Sequence, residues 1–200
     1  MYEVKIDPKK PDKRAIAFAA AALKNSGLVA FPTETVYGIA VNLDDRKALK
    51  RLYKLKGRPA GRKLTVHIAD KKTIRKMGCA LTSRARKLAD KFWPGPLTII
   101  LRSAGGDTAG FRMPANAVAL ALIRECDFPV GAPSANPSGK KSPHSAGQID
   151  TRLKERLDVI MDAGESEIGI ESTIVDFSVS PPRILREGAI KSKAIYRVIK

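Results

Sequence analysis

Short apolar runs typical of buried strands alternate along this chain with segments that have the periodicity of amphipathic helices. The stretch DKRAIAFAAAALKNSG predicts a helix with Asp12 as its N-cap and Gly27 as its stop. The run LVAF at 28–31, ended by Pro32, predicts a buried strand directly after that helix. Other strands are expected to follow one another without a helix between them. This order predicts a mixed α/β fold rather than a strictly alternating, doubly wound one.

The remaining elements continue this pattern to the end of the chain. A helix is predicted between Asp44, as N-cap, and Gly57, and further helices are expected after the caps Asp70, Thr82 and Asn116. The other predicted elements are strands at 38–42, 63–69, 97–102, 109–114, 128–134, 158–164, 172–178 and 183–188, a helix at 146–157 and a basic C-terminal helix. No linker-like stretch divides the chain, which predicts one domain over 1–200 with its core at about 12–188.

Composition restricts the cellular setting. The chain has 200 residues, of which 44% are hydrophobic, and no run of 18 apolar residues that could cross a membrane. The first residues, MYEVKIDPKKPDKR, contain no apolar signal core. Cys79 and Cys126 lie far apart and lack the spacing of metal ligands, so both are predicted to be reduced structural residues. These features predict a cytoplasmic protein without a membrane anchor.

The net charge of +17 predicts an anionic partner. Residues 46–91 contain seventeen Lys and Arg, against only Asp70 and Asp90. A solubilising surface would have the same composition, so the alternative of a merely solvated face stays open. Aromatic residues make up only 6%, which argues against base-stacking platforms, and neither a zinc finger nor a KH-type loop is visible. Charge by itself therefore favours contacts to phosphates over readout of a nucleotide sequence.

Five segments carry polar residues at predicted strand ends, where α/β folds usually bind ligands. Arg58 lies beyond a helix end, so a favourable interaction with the helix dipole does not account for an arginine at this position, and bidentate binding of phosphate does. Arg112 lies in an extended apolar run, where its charge needs a protein acid or a ligand carboxylate as its partner. His67 shares a strand face with Thr65 and suits either a structural or a binding role. The segments are FPTETVYGIAVN (31–42), YKLKGRPAGRKLTVHI (53–68), DTAGFRMP (107–114), VGAPSANPSGKKSPHS (130–145) and EIGIESTIVDFS (167–178).

Several enzyme classes are excluded by what these segments lack. The chain has no GxxxxGK[ST] loop, no G-x-S-x-G elbow and no His/Cys metal set. His144 lies close to Ser142 and Ser145, but this proximity does not make a catalytic triad. Hydroxyls, cations and backbone shaped by Gly and Pro remain. Such a set predicts a site that holds an anionic small molecule and acts by positioning and charge stabilisation.

Seven motifs, taken in their order along the chain, resemble those of the YrdC/TsaC family of threonylcarbamoyl-adenylate synthases. They are FPTETVYGIAVN, KGRP, LTVHIAD, FWPGPLTIIL, GFRMP, APSANPSG and GIESTIVD. The resemblance covers about residues 12–188. It implies a twisted mixed sheet with a wide basic concave face. It also implies that L-threonine, bicarbonate and ATP, with Mg²⁺ accompanying the nucleotide, are converted to threonylcarbamoyl-AMP and pyrophosphate. A downstream threonylcarbamoyl-transferase complex would then use this product to modify tRNA.

The family's motifs assign roles to individual positions in this chain. Its Lys-x-Arg and Ser-x-Asn motifs fall on the catalytic set Lys56, Arg58, Ser134 and Asn136. The resemblance implies ATP contacts at Arg58, Arg62, Thr108, Ser134, Ser142 and Arg186. It implies a threonine pocket formed by Thr35, His67, Arg112, Ala132 and Ser172, with Arg112 binding the carboxylate and the backbone of Ala132 closing the pocket. No protein side chains are assigned to a metal.

The chain departs from the family pattern at Arg62-Lys63, where many relatives carry Asn-Pro, which leaves the ATP contact of Arg62 in doubt. The protein is also expected to be the short form, without the C-terminal domain that some relatives carry. The motifs do not name a general base. Glu34 lies in the right segment without further support, and a binding role suits His67 better than a basic one.

Two other functional hypotheses stay open on the sequence. The first is a protein without catalysis that binds double-stranded RNA or tRNA on its basic concave face, as the cations of residues 46–91 indicate. Such a protein has no need of a threonine pocket. The second is a related enzyme that activates a different carbamate and shares the same nucleotide site.

Overall fold

A ten-stranded mixed sheet runs through the protein, and the computed structural model describes residues 1–200. The strands are β1 (Tyr2–Lys5), β2 (Val29–Phe31), β3 (Gly38–Asn42), β4 (Thr65–His67), β5 (Leu97–Arg102), β6 (Thr108–Arg112), β7 (Val130–Gly131), β8 (Val159–Asp162), β9 (Thr173–Asp176) and β10 (Arg183–Arg186). Their order across the sheet is β1-β8-β2-β3-β7-β4-β6-β5-β9-β10. The pairs β1–β8, β2–β8, β4–β6 and β5–β9 are parallel, and the other neighbours are antiparallel. This confirms the predicted mixed α/β class.

Helices cover both faces of the sheet. They are α1 (Lys13–Lys24), α2 (Arg46–Lys56), α3 (Lys72–Lys76), α4 (Ser83–Phe92), α5 (Ala117–Glu125), α6 (Thr151–Lys154) and α7 (Ser192–Ile199), with a 3-10 turn at Ala146–Gln148. Along β2, Val29 and Phe31 pack with α1 and α5, whereas Ala30 packs with α2 on the opposite face. Because both faces of this strand are buried, it is apolar throughout instead of alternating with polar residues.

Most of the predicted helix boundaries agree with the structure because capping is a local interaction. The Asp12 carboxylate accepts a hydrogen bond from the Ala15 amide, and Thr82 and Asn116 cap their helices in the same way. Gly57 ends α2 in the left-handed conformation, with φ of 58°. Asp70 does not cap α3 in this way, although its carboxylate accepts from the Lys72 amide at 2.8 Å.

Two further helix predictions are wrong. Asp45, not Asp44, caps α2, since the Asp45 carboxylate accepts from the amides of Lys47 and Ala48. The predicted continuous helix at 146–157 is broken at Ile149–Asp150 into the 3-10 turn and α6. The break follows because the Asp150 carboxylate accepts from the Arg152 amide and so starts a new helix.

The terminal residues belong to the packed structure beyond the predicted core of about 12–188. β1, which the sequence analysis did not predict, pairs in parallel with β8 at one edge of the sheet. Its residues are mostly exposed, so it lacks the apolar run by which the other strands were found. Ile195 and Ile199 of α7 are buried against the β5–β9 half of the sheet, which confirms the predicted C-terminal helix. No helix in the structure has the length and apolarity needed to cross a membrane.

Candidate active site

The candidate site lies where several strands end close together. β4 and β6 are parallel neighbours whose last residues, His67 and Arg112, are register partners. The loop after β2 carries Thr35, whose hydroxyl accepts a hydrogen bond from Arg112 Nη2 at 2.7 Å. Ser172 immediately precedes β9, two strands away from β6. Strand pairing therefore gathers side chains that lie more than a hundred residues apart in sequence.

Arg112 is buried, and its partner is a protein carboxylate. Its Nη2 atom lies 2.9 Å from Glu34 Oε1, and both side chains are less than a tenth exposed. The alignment is nevertheless poor, because both Glu34 carboxylate oxygens and Arg112 Nε have no hydrogen-bond partner. Buried charges of this kind are normally satisfied by several hydrogen bonds. The guanidinium therefore keeps donor capacity that an additional carboxylate can use.

His67 is held as a neutral imidazole in the same pocket. Burial, and then the nearby charge of Arg112, lower the pKa of His67 to about 3. Its Nδ1 lies 3.3 Å from the Thr65 carbonyl oxygen, which can only accept, so Nδ1 carries the proton and Nε2 is left as an acceptor. The ring also packs edge-to-face on Phe31 at 5.8 Å between centroids. His67 is therefore suited to accept a hydrogen bond from a ligand and poorly suited to act as a base.

Lys56 ties the loop after β7 to the end of α2. Its Nζ donates to the backbone carbonyls of Ser134 and Asn136, and its own carbonyl accepts from the Ser138 amide at 2.9 Å. The Asn136 side chain accepts from the Ser134 hydroxyl and donates to the Lys140 carbonyl. Burial, reinforced by the neighbouring charge of Arg58, lowers the pKa of Lys56 to about 8. The Lys-x-Arg and Ser-x-Asn motifs thus meet in one network, where Lys56 and Asn136 shape the loop.

Arg58 organises the turn between α2 and β4. Its Nε donates to the Arg62 carbonyl at 2.9 Å and its Nη2 to the Lys63 carbonyl at 2.7 Å. Lys63 in turn pairs with the Asp107 carboxylate and donates to the Thr108 carbonyl at 2.9 Å. The guanidinium of Arg62, at the position where the chain departs from the family pattern, makes no hydrogen bond within the protein, and its proposed ATP contact stays a prediction.

Ser142, Ser172 and Arg186 form a second network around a glutamate that the sequence analysis did not single out. Glu171 Oε1 accepts from the Ser142 hydroxyl at 2.5 Å, and Oε2 pairs with Arg186 Nη1. Arg186 also donates from Nε to the Ser172 carbonyl at 3.0 Å and from Nη2 to the Ser172 hydroxyl at 3.2 Å. The Thr98 hydroxyl lies 2.9 Å from that of Ser172. Predicted ATP contacts and a predicted threonine contact therefore share one network.

The structure separates one predicted contact from the others. Thr108 begins β6 and Arg112 ends it, so the two lie about 13 Å apart along the strand. Ala132 is close to the pocket, since its amide donates to the Thr65 carbonyl at 3.0 Å. A ligand that touches both ends of β6 must be elongated, as a nucleotide joined to an amino acid is.

Glu34 and Glu171 both lie within motif segments, but the motifs indicate a candidate role only for Glu34. Glu34 lies within a motif segment, but its pairing with Arg112 depends on strands that are distant in sequence. Glu171 becomes noticeable only because Ser142 and Arg186 come to it from other parts of the chain. No group of three or more His, Cys, Asp or Glu side chains that could hold a metal ion is present.

A large basic groove of about 1270 Å³ adjoins this site on the outer side of α2. Nine of its lining residues are cationic, and Asp150 is the only acidic one. Of the cations in the 46–91 stretch, only those of α2 reach the groove, and the rest of the lining comes from 135–156. The nine are Lys47, Lys50, Arg51, Lys54, Lys56, Lys140, Lys141, Arg152 and Arg156. The groove shares Lys56 and Asn136 with the loop network.

The chain is similar to known proteins in both sequence and structure. The Sua5/YciO/YrdC family model, whose description is "telomere recombination", matches residues 21–188. The threonylcarbamoyl-AMP synthase of Pyrococcus abyssi is 42% identical over 92% of this chain and 57% of its own length. The synthase of the same name from Bacillus subtilis is 43% identical over 92% of this chain and 56% of its own length. The chain thus spans little more than half the length of these relatives.

A solved structure of a similar protein contains an amino acid. The crystal structure of P. abyssi Sua5 in complex with L-threonine has a TM-score of 0.93 and 38% sequence identity with this chain. The match covers 100% of this chain and 61% of that one.

Proposed function

The chain belongs to the Sua5/YciO/YrdC family, and we propose that it is a threonylcarbamoyl-AMP synthase that uses L-threonine, bicarbonate and ATP. The observation that carries this proposal is the pocket at the ends of β4 and β6, where Thr35, His67 and Arg112 lie together. The sequence motifs assign these residues to threonine, and a similar protein of the same fold has been solved with L-threonine. The RNA-binding alternative offers no reason for a buried arginine with unused donors in such a pocket.

The proposed reaction has two steps. The threonine ammonium group first loses a proton, and the free amine then combines with bicarbonate to give a carbamate with loss of water. A carbamate oxygen then attacks the α-phosphorus of ATP, the bond from that phosphorus to the bridging oxygen breaks, and pyrophosphate leaves with the electron pair. Arg112 holds the amino-acid carboxylate, while Nε2 of neutral His67 accepts a hydrogen bond from the threonine hydroxyl. Both contacts fix the position of the attacking group.

The cations of the two neighbouring networks act on the triphosphate. Arg58 and Arg186 are suited to bind phosphate oxygens in bidentate fashion, and so to stabilise charge that develops on pyrophosphate. Lys56 and Asn136 contribute by holding the loop that carries Ser134. Mg²⁺ bound with ATP would neutralise part of the triphosphate charge, and the oxygen atoms of Ser142 and Glu171 are donors of the type that Mg²⁺ prefers.

The product is a mixed anhydride, so its threonylcarbamoyl group can pass to a nucleophile. We place the consuming step in a partner transferase that modifies an adenosine of tRNA. Both cysteines are free, Cys79 buried and Cys126 partly buried, which suits a reducing compartment and supports a cytoplasmic location.

The first experiment measures pyrophosphate release from ATP while threonine or bicarbonate is omitted in turn. We expect release only when both are present. Replacement of threonine by other amino acids tests the hypothesis of a different carbamate.

The variant Arg112→Met should raise the KM for threonine by at least about tenfold, because the amino-acid carboxylate loses roughly one charged hydrogen bond. The exposed residue Arg75 provides the matched control, Arg75→Met. Release without threonine, or unchanged kinetics in Arg112→Met, would contradict the proposal.

The basic groove supports RNA binding as a second, compatible function. Lys47, Lys50 and Lys54 recur at helical spacing along one side of α2, and none of them forms an ion pair. Such a row can follow a phosphate backbone without reading its sequence. We expect tRNA affinity to fall steeply with salt, and the double variant Lys50→Glu/Lys54→Glu to weaken it without changing pyrophosphate release. RNA binding by a protein that releases no pyrophosphate under any condition would favour the non-catalytic alternative.

A further inference from the structure

Glu171 places a negative charge among the groups assigned to the nucleotide. Its carboxylate is held by the Ser142 hydroxyl and by Arg186, both assigned to ATP. Its charge also reaches Lys56, where it opposes the lowering of the lysine pKa. The other residues of this network offer cations or hydroxyls. A carboxylate thus lies where phosphate oxygens are expected.

A carboxylate and a triphosphate repel each other strongly at such short distances. In the free protein Arg186 compensates the charge of Glu171, but phosphates that bind Arg186 and Ser142 would leave the carboxylate only the more distant ammonium groups of Lys56, Lys140 and Lys141. A divalent cation shared by the carboxylate and the phosphates compensates this charge directly. Mg²⁺ is commonly bound in proteins by one or two carboxylates together with substrate phosphates and water.

Glu171 can reach such an ion, whereas Glu34 cannot. The Glu171 side chain is about one third exposed, at 33%, whereas that of Glu34 is 3% exposed. A cavity of about 270 Å³ adjoins Glu171 and Ser142, and its other lining residues are Val36, Gly169, Lys140 and Lys141. The two ammonium groups repel a free cation, so this cavity suits only an ion that arrives together with phosphate. This volume has room for an ion together with some of its water ligands.

The surrounding network stays intact when Glu171 moves away from it. Arg186 is still anchored through Nε and Nη2, which donate to the carbonyl and the hydroxyl of Ser172. Its Nη1 and the Ser142 hydroxyl then become free for phosphate oxygens. Exchange of partners therefore leaves none of these groups unsatisfied.

We propose that Glu171 is the protein ligand of the divalent cation that accompanies the nucleotide. In the free protein, Ser142 and Arg186 hold its carboxylate. When phosphates bind these two residues, the carboxylate turns to the metal ion. The inference rests on the proposed binding of ATP to this site.

The test is a calorimetric titration of ATP into the protein, in excess Mg²⁺ and in EDTA, without threonine. In the unmodified protein, Mg²⁺ should strengthen ATP binding by at least about tenfold, or roughly 1.4 kcal/mol. In Glu171→Gln this ratio should fall to about one, with metal-free binding unchanged or tighter because the repelling charge is gone. The matched control is Glu167→Gln, an exposed glutamate of the same loop without an ion pair, which should keep the full ratio.

Each other outcome overturns the inference. If Glu171→Gln changes both titrations by the same factor, the carboxylate only competes with phosphate. If the unmodified protein binds ATP equally with and without Mg²⁺, the inference fails while the nucleotide site stands. If it binds ATP under neither condition, the proposed function fails as well.

A second measurement uses the unmodified protein and does not depend on the folding of a variant. Mn²⁺ in place of Mg²⁺ broadens the NMR signals of nearby amides through its unpaired electrons. The amide signal of Glu171 should broaden when ATP is present and stay sharp with Mn²⁺ alone. Absence of broadening in the presence of bound ATP would contradict metal ligation by Glu171.

Discussion

Lys56 is the one buried lysine of this protein, and its titration predicts how stability depends on pH. Its side chain is 4% exposed, and burial lowers its pKa from 10.5 to about 8. Below pH 8 the ammonium is charged in both the folded and the unfolded state, so the full cost of burying it is present. Between pH 8 and 10.5 the unfolded state holds the proton and the folded state does not. The free energy of unfolding therefore rises with pH in this window.

The size of this rise follows from the difference between the two pKa values. One pKa unit corresponds to ~1.36 kcal/mol, so the shift to about 8 sets an upper value of roughly 3 kcal/mol. The carbonyls of Ser134 and Asn136 accept from the ammonium and favour its charged form. We therefore expect a rise of about 2 kcal/mol.

The assay compares urea unfolding of the unmodified protein and of Lys56→Met at several values between pH 7.5 and 10.5. Methionine fills similar space and does not titrate, so contributions from all other groups cancel in the difference between the two proteins. The free energy of unfolding of the unmodified protein should increase by about 2 kcal/mol relative to that of Lys56→Met as the pH rises. The control Lys54→Met removes an exposed lysine of the same helix and should show no such trend. A Lys56→Met difference that stays constant or falls would refute the argument.

Three further predictions follow from named contacts. Arg58→Ala should weaken ATP binding about 10- to 100-fold, measured by titration, and should abolish pyrophosphate release, measured by turnover. Little stability should be lost, because the hydrogen bonds from Arg58 to the turn are partly exposed. A normal turnover rate would exclude its phosphate role. Glu34→Gln, which leaves a buried guanidinium without its counter-ion, should cost about 3 kcal/mol in urea unfolding, whereas Asp127→Asn at an exposed ion pair should cost less than about 1 kcal/mol. Equal costs would show that the buried pair is not a paired charge in solution. Gly188→Ala would place a Cβ 2.1 Å from the Glu171 carbonyl oxygen, so it should lower both the melting temperature and the affinity for ATP. The control Gly147→Ala should lower neither, because the atom nearest to its Cβ is 3.9 Å away.

Local interactions explain why many elements were predictable. Asp12, Thr82 and Asn116 cap helices that begin within three residues of them, and Gly57 ends α2 because the turn requires a left-handed residue. Where a nearby residue competes for the same role, as Asp45 does with Asp44, the sequence cannot decide between the two. In the folded protein the Asp45 carboxylate also accepts from the Ser26 hydroxyl at 2.5 Å, a contact that the residues around α2 do not predict.

The amino-acid sequence by itself determined the mixed α/β class, most element positions and the motif residues from which a threonine and an ATP site were inferred. These depend on the order of residue types within short segments. Only the tertiary structure decided that Glu34 pairs with Arg112 and that Glu171 joins Ser142 to Arg186. It also decided that α2 and residues 135–156 together form the basic groove. The physical reason is that charges act over a few ångströms in space, and strand pairing brings these groups together from distant parts of the chain.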